Sequence, residues 1–405
     1  MGTRCATAAG RKIDADCGLL QVGGKDAAPP RHMTASHSKQ LRGVLIGAGY
    51  FAQFHAEAWK RLEGRLPSRP VQNGVSNSAA GMPPLRLSAV ADPAPGKAKE
   101  FAARHGIPRF YESTETMLDA EKPDFVDIAT RPDSHLPLTK LAAQRGIHVI
   151  CQKPMAPTIA DCTAMCDVCD AAGVRLFIHE NWRWQPWYRE AKRIIDTGAL
   201  GSLKHVSFDW RTGDGNGTEP YPTQPYFRQM PRLLIYETLV HILDTFRFLA
   251  GEMRVTECET RRVNPVIVGE DWAEIRIVFA SGEATGFIHG DRQTGPVPAP
   301  VAMGSMLIEG DRATLRIAAD GQMYLLPGGA ASQPPSEPST ELGGREAAPP
   351  TTGYKGDSVF AVQQHFLDCL RTGRPSESDG RDYLKTVALV EDCYRLAPKP
   401  IPHSS

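Results

Sequence analysis

From Leu41 the chain falls into an ordered alternation of apolar runs and amphipathic stretches. Residues 41–47 (LRGVLIG) are a short apolar run closed by glycine, the pattern of a buried strand. Residues 50–62 then read as a helix, 85–91 (LRLSAVA) as a strand ending at Asp92, and 98–105 as a helix closed by Gly106. The same rhythm gives a strand at 124–129, a helix at 136–145 closed by Gly146, and a strand at 148–151. Strand and helix alternating through short connections predict an α/β fold built on a Rossmann-type, doubly wound parallel sheet.

After Pro154 the texture changes. A helix at 159–172, a strand at 174–178 and a helix at 187–196 precede long strand-like runs at 203–211, 272–280, 283–290, 303–309 and 312–318. These predict a second α/β domain with a large, mostly antiparallel open sheet, packed on a helix over 233–250. Two closing helices are expected at 358–371 and 379–396, packing back toward the first domain. The boundaries are therefore a disordered extension at 1–40, a nucleotide-binding domain at 41–154, and a substrate-binding and oligomerisation domain at 155–398. Met33 is a candidate natural start. Residues 64–84 and 326–355, rich in Pro, Gly and Ser, read as excursions from the fold. No internal repeat is visible.

Composition narrows the function classes. The 405 residues carry 46 Lys+Arg against 46 Asp+Glu, so no net charge favours nucleic acid or an anionic membrane. No run of 18 apolar residues suggests a membrane span, and no signal peptide is legible. Nine cysteines scattered over the chain favour a reducing compartment, and the expected location is the cytoplasm. Cys162, Cys166 and Cys169 have the spacing of a radical-enzyme iron–sulfur loop, but within a helical pattern they form one apolar face and are expected to pack in the core.

Chemistry concentrates in three places. Gly47-Ala48-Gly49-Tyr50-Phe51-Ala52 is a GxGxxA turn between strand and helix, where small residues allow a tight turn, close approach of backbone to a pyrophosphate, and helix–strand packing. Asp92 lies 43 residues beyond Gly49, and 22 once the loop at 64–84 is left out, close to the spacing of a ribose-binding acid. A carboxylate there repels a 2′-phosphate and favours NAD over NADP; otherwise Asp92 is a turn residue. Lys153, at the carboxyl end of a strand and fixed by Pro154, is either a surface charge or aimed into the ligand crevice. Glu237, His241 and Asp244 share one helical face. That face is a buried polar stripe, a proton-handling site or, less in keeping with the absent second histidine, a metal site.

The glycine turn, a strand-terminal Lys-Pro and a Glu-x3-His-x2-Asp helix, in this order, resemble the Gfo/Idh/MocA oxidoreductases over about 41–398. The family's Thr/Ser-Pro-x-x-x-His is similar to Thr130-Arg131-Pro132-Asp133-Ser134-His135, and its Glu-Lys-Pro to Gln152-Lys153-Pro154. Two positions depart from it: Gln152 stands for the usual glutamate, and Glu237 for the usual aspartate. The resemblance implies that Thr130, Arg131, His135 and Gln152 join Gly47, Gly49, Tyr50, Phe51, Ala52, Asp92 and Lys153 around the cofactor. It implies that Lys153 binds and polarises the reacting hydroxyl, that His241 removes its proton as hydride passes to nicotinamide, and that Glu237 orients or relays through His241.

Two stretches dense in aromatics and arginines, 179–189 and 224–232, offer Arg183, Trp184, Tyr226 and Arg228 as sugar contacts beside Lys153, Glu237 and His241. They look most like the D-apiose dehydrogenase branch, which implies oxidation of a branched aldose to its lactone. The expected enzyme is an NAD-dependent sugar dehydrogenase, acting as a homodimer or homotetramer with no nucleic-acid or membrane partner. Its rivals are a lyase or glycosidase using retained NAD as a transient oxidant, and a nucleotide-binding sensor without turnover.

Overall fold

The computed structural model describes residues 40–64, 85–328 and 353–398. The expected extension and most of the two Pro/Gly-rich excursions lie outside the described residues.

The first sheet is built from β1 (Leu41–Ile46), β2 (Leu85–Ala91), β3 (Arg109–Tyr111), β4 (Phe125–Ile128), β5 (His148–Gln152) and β6 (Leu176–His179). All neighbours pair in parallel, in the order β3-β2-β1-β4-β5-β6. Both faces are covered, which is why β1, β4 and β5 are nearly continuous apolar runs. The crossovers are α1 (Ala52–Glu63), α2 (Lys97–His105), α3 (Thr114–Glu121), α4 (His135–Ala143) and α5 (Ile159–Ala172). Helix α5 shows why the boundaries were readable: the Thr158 side chain accepts the Asp161 amide at 3.1 Å, and Gly173 closes the helix with a left-handed φ of 65°. The sheet continues past the expected domain limit at Pro154, because β6 adds its sixth strand at 176–179.

The second sheet runs β13-β12-β11-β7-β10-β9-β8. Its strands are β7 (Leu203–Arg211), β8 (Met253–Arg261), β9 (Trp272–Phe279), β10 (Thr285–Asp291), β11 (Gly304–Gly310), β12 (Ala313–Ile317) and β13 (Met323–Pro327). All pairs are antiparallel except β10 with β7. Alternating burial along β9 turns Ala273, Ile275, Ile277 and Phe279 inward. The helices of this half are α6 (Pro186–Asp196), α7 (Val240–Ala250), α8 (Ser358–Thr372) and α9 (Gly380–Leu396). Phe246 of α7 packs on Phe279 of β9, while α8 returns to the first sheet, where Phe366 meets Phe125 and Phe177.

Four elements were not foreseen: β3, α3, β8 and β13. Strand β3 is a three-residue edge with little buried surface, and β8 carries a bulge between Val255 and Glu257 that breaks its alternation. The helix expected over 233–250 is instead a π-helical turn, Leu234–Leu239, leading into α7. The Glu270 carboxylate receives the amides of Leu233 and Ile235 at the start of that turn, and such wide turns are frequent at functional sites. Cys162, Cys166 and Cys169 sit buried in the core, where burial pushes their thiols up to about 12.

Candidate active site

The carboxyl ends of β1, β4, β5 and β6 converge where the order of the sheet reverses around β1, the place where open parallel sheets bind ligands. Gly47 leaves β1 with φ +101°, and a Cβ there would stand 2.5 Å from the Ala129 carbonyl oxygen. Only glycine fits. A Cβ at Gly49 would meet nothing, so its backbone faces the open space a pyrophosphate needs. Ala52 is fully buried at the start of α1, the close helix–strand contact that calls for a small residue. Asp92, at the end of β2, accepts the Ala48 amide of the glycine turn at 2.9 Å and the Ala94 amide at 3.1 Å, with Lys97 at 3.2 Å. It therefore acts as a turn residue as well, bracing the loop next to which a ribose would lie. Taken together, this cradle fits a dinucleotide.

A cavity of about 1150 Å³ opens from Tyr50 and Phe51 of the glycine turn and runs to Lys153, Glu237, His241 and Arg292. Lys153 follows β5 and is largely buried. Its Nζ donates to the Glu237 carboxylate and to the Glu237 carbonyl oxygen, each at 2.7 Å. Burial by itself would push the Glu237 carboxyl up, but the charges of Lys153 and Arg292 outweigh it and hold the group below its ordinary value.

Behind Lys153 runs a hydrogen-bonded chain. The Lys153 amide donates to Gln152 Oε1 at 2.6 Å, Gln152 Nε2 donates to His55 Nε2 at 3.0 Å, and His55 Nδ1 donates to Asp127 Oδ2 at 2.8 Å. The Trp59 indole donates to the same carboxylate at 2.6 Å. Its polarity is forced, because a main-chain N–H can only donate. Gln152 must present oxygen to Lys153 and NH₂ to His55, so His55 must offer a lone pair. The amide at position 152 is what this neutral chain requires, which gives a physical reading of the departure from glutamate.

His241, in the first turn of α7, lines the far side of the cavity. Its Nδ1 lies 2.5 Å from Oε1 of Glu180, a fully buried carboxylate just after β6. Glu180 also accepts the Trp182 amide at 3.0 Å and the Tyr383 hydroxyl at 3.1 Å. Burial, reinforced by the nearby Lys153 charge, holds the imidazole well below its ordinary value. Neutral His241 donates its Nδ1–H to Glu180 in a hydrogen bond, and its Nε2 lone pair has no partner among the described residues. Burial pushes the Glu180 carboxyl up, with the Trp182 amide and the Lys153 charge pulling against it.

Several expectations need correcting. Glu237 pairs with Lys153, not with His241, whose partner is Glu180. Asp244 turns away and binds Arg183 through both oxygens at 2.6 and 2.7 Å. Arg183 is consequently a buried structural cation and does not line the cavity. Trp184 stacks between His365 and Arg189. Arg228 pairs with Glu219 and donates to the Pro220 carbonyl at 2.9 Å, and Tyr226 sits outside the lining, 5.8 Å from Arg131. His135 is fully buried, with its ring nitrogens against the carbonyls of Met155 and Thr130 at 3.0 and 3.2 Å; it clips two loops together and faces no ligand space. Thr130 stays beside Gly47, hydrogen-bonded to Ser134 at 2.6 Å, and Arg131 is exposed near Asp133.

The residues that the sequence reading missed are Glu180, Asp214, Trp210, Tyr221 and Arg292. Glu180 had a signal, as an acid directly after a strand of the parallel sheet. The others come from β7, β10 and the loops after them, and nothing local marks them.

Comparison with known proteins places both domains in one family. Residues 41–180 match the model described as "Oxidoreductase family, NAD-binding Rossmann fold", and 188–316 match the GFO/IDH/MocA C-terminal domain. A D-apiose dehydrogenase of Paraburkholderia graminis is 33% identical over 379 residues, covering 92% of each chain. Another, from Rhizobium rhizogenes, is 33% identical, covering 88% of this chain and 95% of its own. The structure of an oxidoreductase from Agrobacterium radiobacter in complex with NAD+, L-tartaric acid and magnesium superposes with a TM-score of 0.72 at 30% identity, over 88% of this chain and 96% of that one. With this much of both domains matched, the chain belongs to the Gfo/Idh/MocA family of NAD-binding oxidoreductases.

Proposed function

We propose that the protein is an NAD-dependent dehydrogenase that oxidises a hydroxyl of an aldose, with D-apiose as the first substrate to test. The observation that carries the mechanism is the placement of Lys153 and a neutral His241 on one cavity that also reaches the glycine turn. The two D-apiose dehydrogenase relatives, matched over most of their length, support the substrate.

In this reading Gly47, Gly49, Tyr50, Phe51 and Asp92 hold the dinucleotide, and NAD when bound supplies the acceptor for the carbinol hydride. Lys153 donates a hydrogen bond to the reacting oxygen and stabilises the negative charge that grows on it. His241 Nε2 takes the hydroxyl proton, and the imidazolium so formed is stabilised by Glu180 across the 2.5 Å contact. Glu237 holds Lys153 charged and aimed. The alcohol would thus lose its O–H proton to His241 and the hydride of its carbinol C–H to the cofactor, leaving a carbonyl.

We further place the enzyme in the cytoplasm, as a homodimer or homotetramer joined through the outer face of the second sheet. The exposed Leu307 and the Phe287–Arg276 stack on that face support the joint. Light scattering on the purified chain would show a monomer if this is wrong.

The central test is absorbance at 340 nm with purified protein, NAD and a panel of aldoses and polyols that includes D-apiose. NADH formation with a sugar, lost in K153A, is the expected outcome. Consumption of substrate without net NADH would replace this reading with a retained-cofactor lyase or glycosidase. Bound NADH without any turnover would leave a sensor.

A further inference from the structure

A line of alternating charge runs along the cavity away from the reacting centre. Lys153 pairs with Glu237 at 2.7 Å, and Glu237 Oε2 accepts the Thr238 hydroxyl at 2.7 Å. Thr238 in turn accepts Arg292 Nη1 at 3.2 Å, and Arg292 binds both oxygens of Asp214, at 2.5 and 3.2 Å. Lys153, Glu237, Thr238, Arg292 and Asp214 all line the cavity. Arg292 is 4% exposed, its guanidinium held 4.5 Å from the Tyr221 ring centre and 5.4 Å from that of Phe227.

Each cation of this line has a carboxylate within hydrogen-bond distance, so the surface offers many donors and acceptors but no net charge. A further pair of donors points the same way: the Trp210 indole N–H and the Tyr221 hydroxyl are buried without a partner among the described residues, and both residues line the cavity. Arg292 spends three N–H bonds on Asp214 and Thr238, which leaves two of its five without a partner among the described residues.

Sugar hydroxyls donate and accept at once, so a row of them can satisfy both signs of such a surface. A carboxylate or phosphate cannot. It would shed its water, find both cations already neutralised, and lie as close to Glu237 and Asp214 as to Lys153 and Arg292. Of the other charged lining residues, Glu219 pairs with Arg228. Lys355 lacks a carboxylate partner among the described residues; its Nζ donates to the Pro300 carbonyl at 3.3 Å, in the loop after β10, and in the sum of lining charges it is offset by Glu57.

We propose that this cavity selects neutral polyhydroxy substrates against the corresponding sugar acids and phosphate esters, and that Asp214 enforces the choice by cancelling the charge of Arg292. The inference rests on the dehydrogenase reading and adds the substrate's charge class and the residues that set it.

The test uses the full chain with NAD and matched pairs: D-glucose against D-glucuronate, and whichever panel aldose turns over fastest against its aldonic or uronic acid and its phosphate ester. In wild type, kcat/KM for the neutral member should exceed that for the acid by about 100-fold or more, the scale of a like-charge mismatch. D214N should close that ratio by about tenfold or more, because it exposes an uncompensated guanidinium. R292M, which leaves Asp214 unopposed, should keep the acid excluded while raising KM for the neutral sugar.

Quenching of tryptophan fluorescence in the presence of NADH reads the same preference as binding, through Trp182 and Trp210 in the cavity wall. Absence of NADH from every panel member would overturn the dehydrogenase reading, and the binding ratio would still decide the charge preference. Wild type that accepts acids as readily as neutral sugars would overturn the inference. So would a D214N protein with the wild-type melting temperature and an unchanged ratio; if D214N does not fold, R292M that admits the acid does the same.

Discussion

Two carboxylate–histidine pairs lie on either side of Gln152 and Lys153, and their difference separates a proton-transfer site from a brace. Asp127 with His55, at 2.8 Å, and Glu180 with His241, at 2.5 Å, are built from the same chemistry. All four side chains are buried or nearly so, and the His55 ring even stacks on His179, the neighbour of Glu180, at 4.0 Å. What differs is the second ring nitrogen. In His55 it is capped by the Gln152 amide, so the ring transmits orientation and has no lone pair left for substrate. In His241 the second nitrogen faces the cavity. A histidine beside a carboxylate is therefore no sign of catalysis until its other nitrogen has been accounted for.

The sharpest way to break this comparison is H241Q. It should lower kcat by about 10²–10⁴-fold, the range of a lost general base, with NADH binding by fluorescence unchanged. A variant within a few fold of wild type would remove His241 from the chemistry. E180Q follows, with kcat expected to fall by roughly 10²-fold. In that variant Nδ1–H faces an amide and not an anion, and the imidazolium loses its stabilising charge. An unchanged kcat would make Glu180 a packing residue only.

On the brace side, Q152M removes both the acceptor for the Lys153 amide and the donor for His55. We expect kcat to drop by about tenfold with KM for sugar nearly constant, since two unsatisfied buried groups each cost about 1–3 kcal/mol and loosen Lys153. Q152E separates this positioning role from packing alone. The carboxylate can still accept from Lys153 but needs a proton on His55, with Asp127, His179 and Lys153 close by. Its kcat should therefore stay below wild type although the side chain is nearly isosteric. A Q152E protein with wild-type kcat would sink the chain.

The pH dependence of the fold is a gentler test. Burial lowers His135, His179 and His241, and takes His148 and His365 to about 4. Free histidine titrates near 6.5, so below that the unfolded chain binds protons that the folded chain refuses. Stability is complete above about 6.5 and is lost as pH falls. Melting temperatures should drop by several degrees between pH 7 and 5; a flat profile would mean that these histidines are not held neutral. The smallest effect on catalysis is expected from R183M. Because Arg183 binds Asp244 and faces no cavity, its loss should cost about 3–5 kcal/mol in urea denaturation with KM for sugar unchanged.

What the sequence by itself determined was whatever depends on near neighbours in the chain. The parallel sheet was legible because both-face burial leaves continuous apolar runs closed by glycine, and the glycine turn because its steric demand falls on consecutive residues. Lys153 was legible as a charge at a strand end, and His241 as a histidine on an apolar helix face. Position alone suggested Glu237 as the partner of His241, since both stand one turn apart on the expected helix.

Only the tertiary structure decided the pairings. Lys153 and Glu237 meet across 84 residues, His241 and Glu180 across 61, and His55 and Asp127 across 72. A carboxylate's role is set by the cation or donor that folding brings within 3 Å, and chain spacing carries no record of that. The same physics turned Arg183 from a sugar contact into a buried ion pair, and brought Arg292 and Asp214, from the loops after β10 and β7, onto the cavity that holds Lys153.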